Sequence, residues 1–247
     1  MSEGKPSTRG HDKPRGGILT HLRHRHDPLT SLVLTVPVFL IYHLGILVID
    51  LRNGVDLVST ATFALLEQSV AAYIAVTLAI AAGLFGAGWW LRREGKIRPA
   101  KLLPVVGESV LWSVVMLLLL GWATNQIFAQ QIGERALGPV EKIVMAAGAG
   151  FHEELIFRVG LFAGGTWLLS RAKKLGPTWA AVIAAIVSSL LFSTMHYVGA
   201  LGDTISIVSF TFRVLAGLYL AALYRFRGFA VAVYTHAFYD VLVFFIV

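Results

Sequence analysis

The chain has 247 residues, 56% of them hydrophobic and 14% charged, and its mean hydropathy is +0.72. That composition excludes an ordinary soluble domain, which needs more polar surface to cover its core, and makes a bilayer the better solvent. Net charge is +7 and there is no cysteine, which excludes a disulfide framework, a thiolate nucleophile and a Cys-ligated zinc.

Residues 1–28 carry Lys5, Arg9, Lys13, Arg15, Arg23 and Arg25 among Gly, Pro and His, without apolar periodicity, and read as a disordered basic cytoplasmic tail. The rest, 29–247, reads as a single transmembrane domain. A first span is expected from Leu29 to Val48, then a polar turn at Asp50, Arg52, Asn53 and Gly54 and a mixed stretch from Leu57 to Gln68. Spans at about Val70 to Trp90 and Leu102 to Ile127 follow, the first ending in an interfacial Trp89–Trp90 pair. After a loop with Gln130, Gln131, Glu134 and Arg135, a short helix from Pro139 leads through the small-residue run Ala146–Gly150 into a long helix to Leu169. Pro177 restarts a helix that ends near His196, and the last two spans are Thr204 to Tyr224 and Gly228 to Val247.

The basic residues punctuate this pattern, with five between Arg92 and Lys101 and others at Arg171, Lys173, Lys174, Arg225 and Arg227. No aromatic-interleaved basic surface accompanies them, so they mark cytoplasmic loops and nucleic acid is not an expected partner. The fold class is therefore all-α, a polytopic transmembrane bundle of seven to eight spans with the N-terminus cytoplasmic. The expected location is a prokaryotic plasma (inner) membrane.

Glu153, Glu154, Arg158, His196, Arg213, His236 and Asp240 do not belong in hydrocarbon. Five of them are carboxylates or arginines at roughly 2.5–3.5 kcal/mol each if left alone, on the order of 15 kcal/mol in all. Mutual pairing or a wet cavity must offset that cost, and the chemistry is placed in the second half, about 140–247. Three pairs stand four residues apart and share helix faces: Glu154 with Arg158, Phe192 with His196, and His236 with Asp240. Glu154 pairs with Arg158, which leaves Glu153 free for proton transfer. Arg213 is assigned a neighbour in Asp240, Glu154 or a substrate carboxylate.

Ser188, Ser189, Ser193 and Ser209 sit in no nucleophile motif, and Gly-x-Ser-x-Gly is absent. Asp240 is the only aspartate well inside a span, too few for an aspartyl dyad. His152-Glu153-Glu154-Leu155-Ile156 lacks the second histidine of a zincin. A zinc site from His196, His236 and a carboxylate on separate helices remains the mechanistic alternative.

The ordered set Glu153-Glu154-x-x-x-Arg158, Phe192-x-x-x-His196 and His236-x-x-x-Asp240 resembles the three motifs of the CPBP family, the CAAX-protease or Abi family, over about residues 140–245. The resemblance implies an intramembrane glutamic endopeptidase without obligatory metal, acting on a membrane-anchored or membrane-inserted protein in the lipid bilayer. It further implies Glu153 as general base, His196 as the residue orienting the water, and His236 and Asp240 as oxyanion stabilisers. Glu154 and Arg158 are implied as supporting groups, and the myxosortases are a possible subgroup. Asp240 stands where the prenyl endopeptidases have asparagine. An ionised aspartate cannot donate to an oxyanion, so Asp240 is expected to accept from His236. A non-enzymatic immunity or receptor protein and a proton-coupled transporter are the readings from other classes.

Overall fold

The computed structural model describes residues 27–49, 51–65, 69–95, 102–125, 137–172, 175–198 and 202–246. Residues 1–26 of the expected tail, Asp50, the Gln130–Arg135 loop and the basic residues Lys96, Arg98, Lys101, Lys173 and Lys174 lie outside the described residues. Among the described residues every regular element is a helix.

The first helix, α1 (Pro28–Leu34), starts as its residues dictate. Asp27 accepts from the Thr30 amide at 2.9 Å, and Pro28 fills the first turn, where no N–H is needed. The expected first span then bends by 45° into α2 (Val36–Gly45). Pro37 is the cause: it offers no amide to the ladder and its ring displaces the carbonyl four residues back. At the break the Thr35 hydroxyl donates to the Leu32 carbonyl at 2.7 Å. A turn leads to α3 (Leu57–Leu65), followed by α4 (Val70–Arg93) and α5 (Leu102–Thr124).

From Pro139 to Ala172 the chain is helical without a break. It is wound as α6 (Pro139–Gly148), a π-helix (Ala149–Gly164) and α7 (Gly165–Ala172). Glu141 caps its start, accepting from the Gly138 amide at 2.8 Å. The small-residue run therefore does not interrupt the helix. It lets the helix approach its neighbour. The chain closes with α8 (Pro177–Met195), α9 (Ile207–Arg227) and α10 (Phe229–Ile246).

Among the described residues five helices, α4, α5, α8, α9 and α10, are long and apolar enough to cross a bilayer, or six if the bent α1–α2 pair is one span. These helices alone do not confirm the expected count of seven to eight. At 9 residues α3 is too short to cross, whereas the unbroken helical run from Pro139 to Ala172 is long enough to do so although it is wound as stretches of 10, 16 and 8 residues.

Helix α10 is the centre of the bundle, with 13 of its 18 residues buried and with α5, the π-helix, α6 and α9 packed around it. One core joins Phe39 and Tyr42 to Phe151 and Val231. A second joins Met116, Phe157, Phe192, Phe212 and Tyr239. Glu108 and Arg227 tie α5 to the end of α9 with a two-pronged pair at 2.5 and 2.9 Å.

Gly150 sets the distance between the π-helix and α10. A Cβ there would lie 2.7 Å from the Val233 carbonyl oxygen and 2.8 Å from the Ala237 Cβ, so a helix backbone would have to move. Gly150→Ala is expected to cost about 1–3 kcal/mol, read as a lower thermal midpoint of the purified protein. An unchanged midpoint would show that the contact is looser than drawn.

Candidate active site

The π-helix carries Glu153, Glu154 and Arg158 into the interior, α8 ends at His196, and α10 supplies His236 and Asp240. π-Winding within helices is frequent at functional sites. Glu153, Glu154, Arg158, His236 and Asp240 are buried, and His196 is half-buried.

The two adjacent glutamates have different partners. Glu154, fully buried, places Oε2 3.1 Å from the Arg158 Nε and accepts from the His236 Nδ1 on Oε1 at 2.9 Å. The Arg158 guanidinium lies over the Phe192 ring, 4.7 Å from its centroid, which couples the π-helix to α8. Glu154 and Arg158 pair as their spacing predicts, while the bond from Glu154 to His236 is invisible in the spacing.

Glu153 has one occupied oxygen and one open one. Oε1 accepts from the Asn53 Nδ2 at 2.8 Å. Oε2 has no hydrogen-bond partner and lies 3.9 Å from the His236 Nε2. His196 donates its Nδ1–H to the Phe192 carbonyl at 2.8 Å. That bond fixes the tautomer and leaves Nε2 as the free nitrogen. Glu153, His196, His236 and Asp240 line one cavity of ≈ 40 Å³, room for one or two water molecules. The Tyr239 hydroxyl, buried without a partner, belongs to a side chain on the wall of that cavity.

Two expectations need correction. Asp240 does not accept from His236: its Oδ2 stands 3.7 Å from Nε2, beyond hydrogen-bond reach, because the Nδ1–H is already held by Glu154. Arg213 pairs with neither Asp240 nor Glu154. It is bound to Asp203, donates to Tyr197 and Ser209 at 2.8 Å each, and covers the Tyr197 ring. The signal for its partner lay in Asp203, just outside the helix.

The first half of the chain reaches the site as well. Asn53, in the turn between α2 and α3, reads from the sequence only as a polar turn residue, and its partner is 100 positions away. Among the described residues, no three His, Cys, Asp or Glu side chains are arranged to hold a metal ion. The zinc alternative would draw on the Nε2 atoms of His196 and His236, since their Nδ1 atoms are held by the Phe192 carbonyl and Glu154.

No curated protein and no solved structure matches the chain. Residues 137–242 match a family model described as "Type II CAAX prenyl endopeptidase Rce1-like", a stretch that begins at the helix bearing Glu153 and ends just past Asp240. Over this segment, less than half of the chain, the protein is similar to the type II CAAX prenyl endopeptidases.

Proposed function

We propose that the protein hydrolyses a peptide bond in a membrane-anchored protein, using a water molecule activated by Glu153 without a metal ion. The observation that carries this reading is the open Oε2 of Glu153, buried without a partner on the wall of a water-sized cavity that His196, His236 and Asp240 also line.

The water sits between the Glu153 Oε2 and the His196 Nε2. Glu153 takes one proton, and His196, whose other nitrogen is held by the Phe192 carbonyl, accepts the second hydrogen bond and aims the oxygen. Attack on the scissile carbonyl forms the C–O bond and an oxyanion. His236 donates to that oxyanion from Nε2 in its imidazolium form, while Glu154 holds its Nδ1–H and fixes the ring. The Tyr239 hydroxyl adds a neutral donor. Asp240 balances the imidazolium without donating. The C–N bond then breaks, and the proton held by Glu153 leaves with the amine, yielding one carboxylic acid and one amine.

Two further cavities support a membrane-anchored substrate. One of ≈ 70 Å³ adjoins Glu153 and His196, and an apolar one of ≈ 220 Å³ lies between the π-helix and α8, along Ile156, Leu161 and Leu191. Gly54, Val55, Phe157 and Met195 line both, so the apolar groove leads to the carboxylate. The substrate's apolar segment lies in this groove with its scissile bond at Glu153. With the basic helix ends on the cytoplasmic side, Glu153 and His196 fall in the outer half of the bilayer. That favours a surface protein's C-terminal anchor, as for a myxosortase-like enzyme.

The test uses the purified protein in lipid nanodiscs with a membrane-anchored peptide. Cleavage is expected to persist in a chelator, whereas loss on chelation with restoration by zinc would establish the metal alternative. Leu161→Trp, which narrows the groove, is expected to raise KM for the anchored peptide roughly tenfold, about 1.4 kcal/mol, and to leave a short soluble peptide unaffected. Equal effects on both peptides would remove the groove from the substrate path.

A further inference from the structure

The residue that holds the Glu153 carboxylate comes from the other half of the chain. Asn53 is buried and donates from Nδ2 to the Glu153 Oε1 at 2.8 Å. Its own Oδ1 accepts from the Val55 amide at 2.9 Å, an Asx turn that decides which end of the amide is which. With the oxygen committed to Val55, the NH₂ group must face Glu153.

The turn itself is held from behind. The Asn53 amide donates to the Tyr42 hydroxyl at 2.9 Å, and that hydroxyl donates to the Asp56 Oδ2 at 2.7 Å. Asp56 Oδ1 accepts from the Ser59 amide at 2.8 Å and lies 3.5 Å from the His152 Nε2. The contacts thus run from His152 through Asp56, Tyr42 and Asn53 to Glu153. They start and finish on consecutive residues of the π-helix and close a ring.

We infer that Asn53 is a positioning residue for peptide hydrolysis: it occupies the Oε1 of Glu153, so that the carboxylate has one orientation and presents only Oε2 to the water. This deepens the reading of Glu153 as the base and rests on it. Without the amide, the carboxylate could turn about its last bond and spend its charge on another neighbour.

The turn could instead be only a structural clasp, and Asn53→Asp distinguishes the two. Aspartate keeps the shape and the Oδ1 acceptor for Val55, so a clasp would survive it better than it survives Asn53→Ala. Aspartate also sets a second carboxylate oxygen against the Glu153 Oε1, where the two repel or share a proton. Positioning therefore predicts the order wild type, then Ala, then Asp. The expected kcat losses are roughly 10-fold or more for Ala and at least as large for Asp, in line with a lost charge-assisted hydrogen bond, with KM within about threefold.

The assay uses the full-length protein in nanodiscs and the anchored peptide, with thermal midpoints to confirm folding. An Asp variant milder than the Ala variant, or losses confined to KM, would overturn the positioning role. Should the Asp variant fail to fold, a wild-type kcat in Asn53→Ala would overturn it equally. Glu153→Gln in parallel separates the failures, because activity in that variant would remove the base itself rather than its holder.

Discussion

Glu153→Gln is expected to lower kcat by roughly 10²–10⁴-fold, the range of a positioned general base, while leaving the thermal midpoint unchanged or higher. Glutamine is isosteric, and its carbonyl oxygen can still accept from Asn53 where Oε1 does now. Lost is the ability of the second oxygen to take a proton from water. That oxygen is buried without a hydrogen-bond partner, so its charge is a burden to folding, and removing it relieves the native state. Inactivation through misfolding would instead lower the midpoint. Single-turnover cleavage of the anchored peptide alongside thermal unfolding reads both quantities. Turnover within about threefold of wild type would exclude Glu153 as the base, and a large fall in the midpoint would assign it a structural task.

Much of this site was legible because helical spacing converts sequence into direction. Glu154 and Arg158 stand four apart and do pair, and charged groups in apolar helices announced that α10 and the Glu153 helix must face a common interior. The starts at Pro139 and Pro177 were legible in the sequence, whereas Pro28, counted with the tail, opens α1. The contact between Asn53 and Glu153 was not. A turn residue has no period, and nothing local says which of many buried acceptors its amide will meet. The partner of Arg213 is hidden for a related reason: Asp203 precedes α9, outside the helical spacing. His236 was assigned to Asp240 because spacing alone favoured that neighbour. Spacing within one helix cannot weigh a carboxylate arriving from another, and Glu154 reaches the Nδ1 first. The bend at Thr35 was hidden by hydropathy, which sees an uninterrupted apolar run where Pro37 breaks the ladder.

Arg158 carries the second large expectation, this time on stability. Its side chain is wholly buried, touches the Glu154 Oε2 through Nε at 3.1 Å and leaves both terminal nitrogens without partners. Arg158→Met removes the counter-charge and strands the Glu154 carboxylate, at a cost of about 3–5 kcal/mol. Removing both charges is different. In Glu154→Leu with Arg158→Met no ion stays unpaired, and apolar replacement of a buried pair is often neutral or stabilising. The double variant is therefore expected to regain most of the lost thermal midpoint, a non-additive result that two independent sites could not give. Activity should not return with it. Glu154 also holds the His236 Nδ1, and without that carboxylate the imidazole loses its fixed ring plane and its hydrogen-bond acceptor. A double variant that recovers stability but not kcat separates the two tasks of Glu154, as partner of Arg158 and as holder of His236. Recovery of both would mean that His236 needs no holder and that the pair serves packing alone.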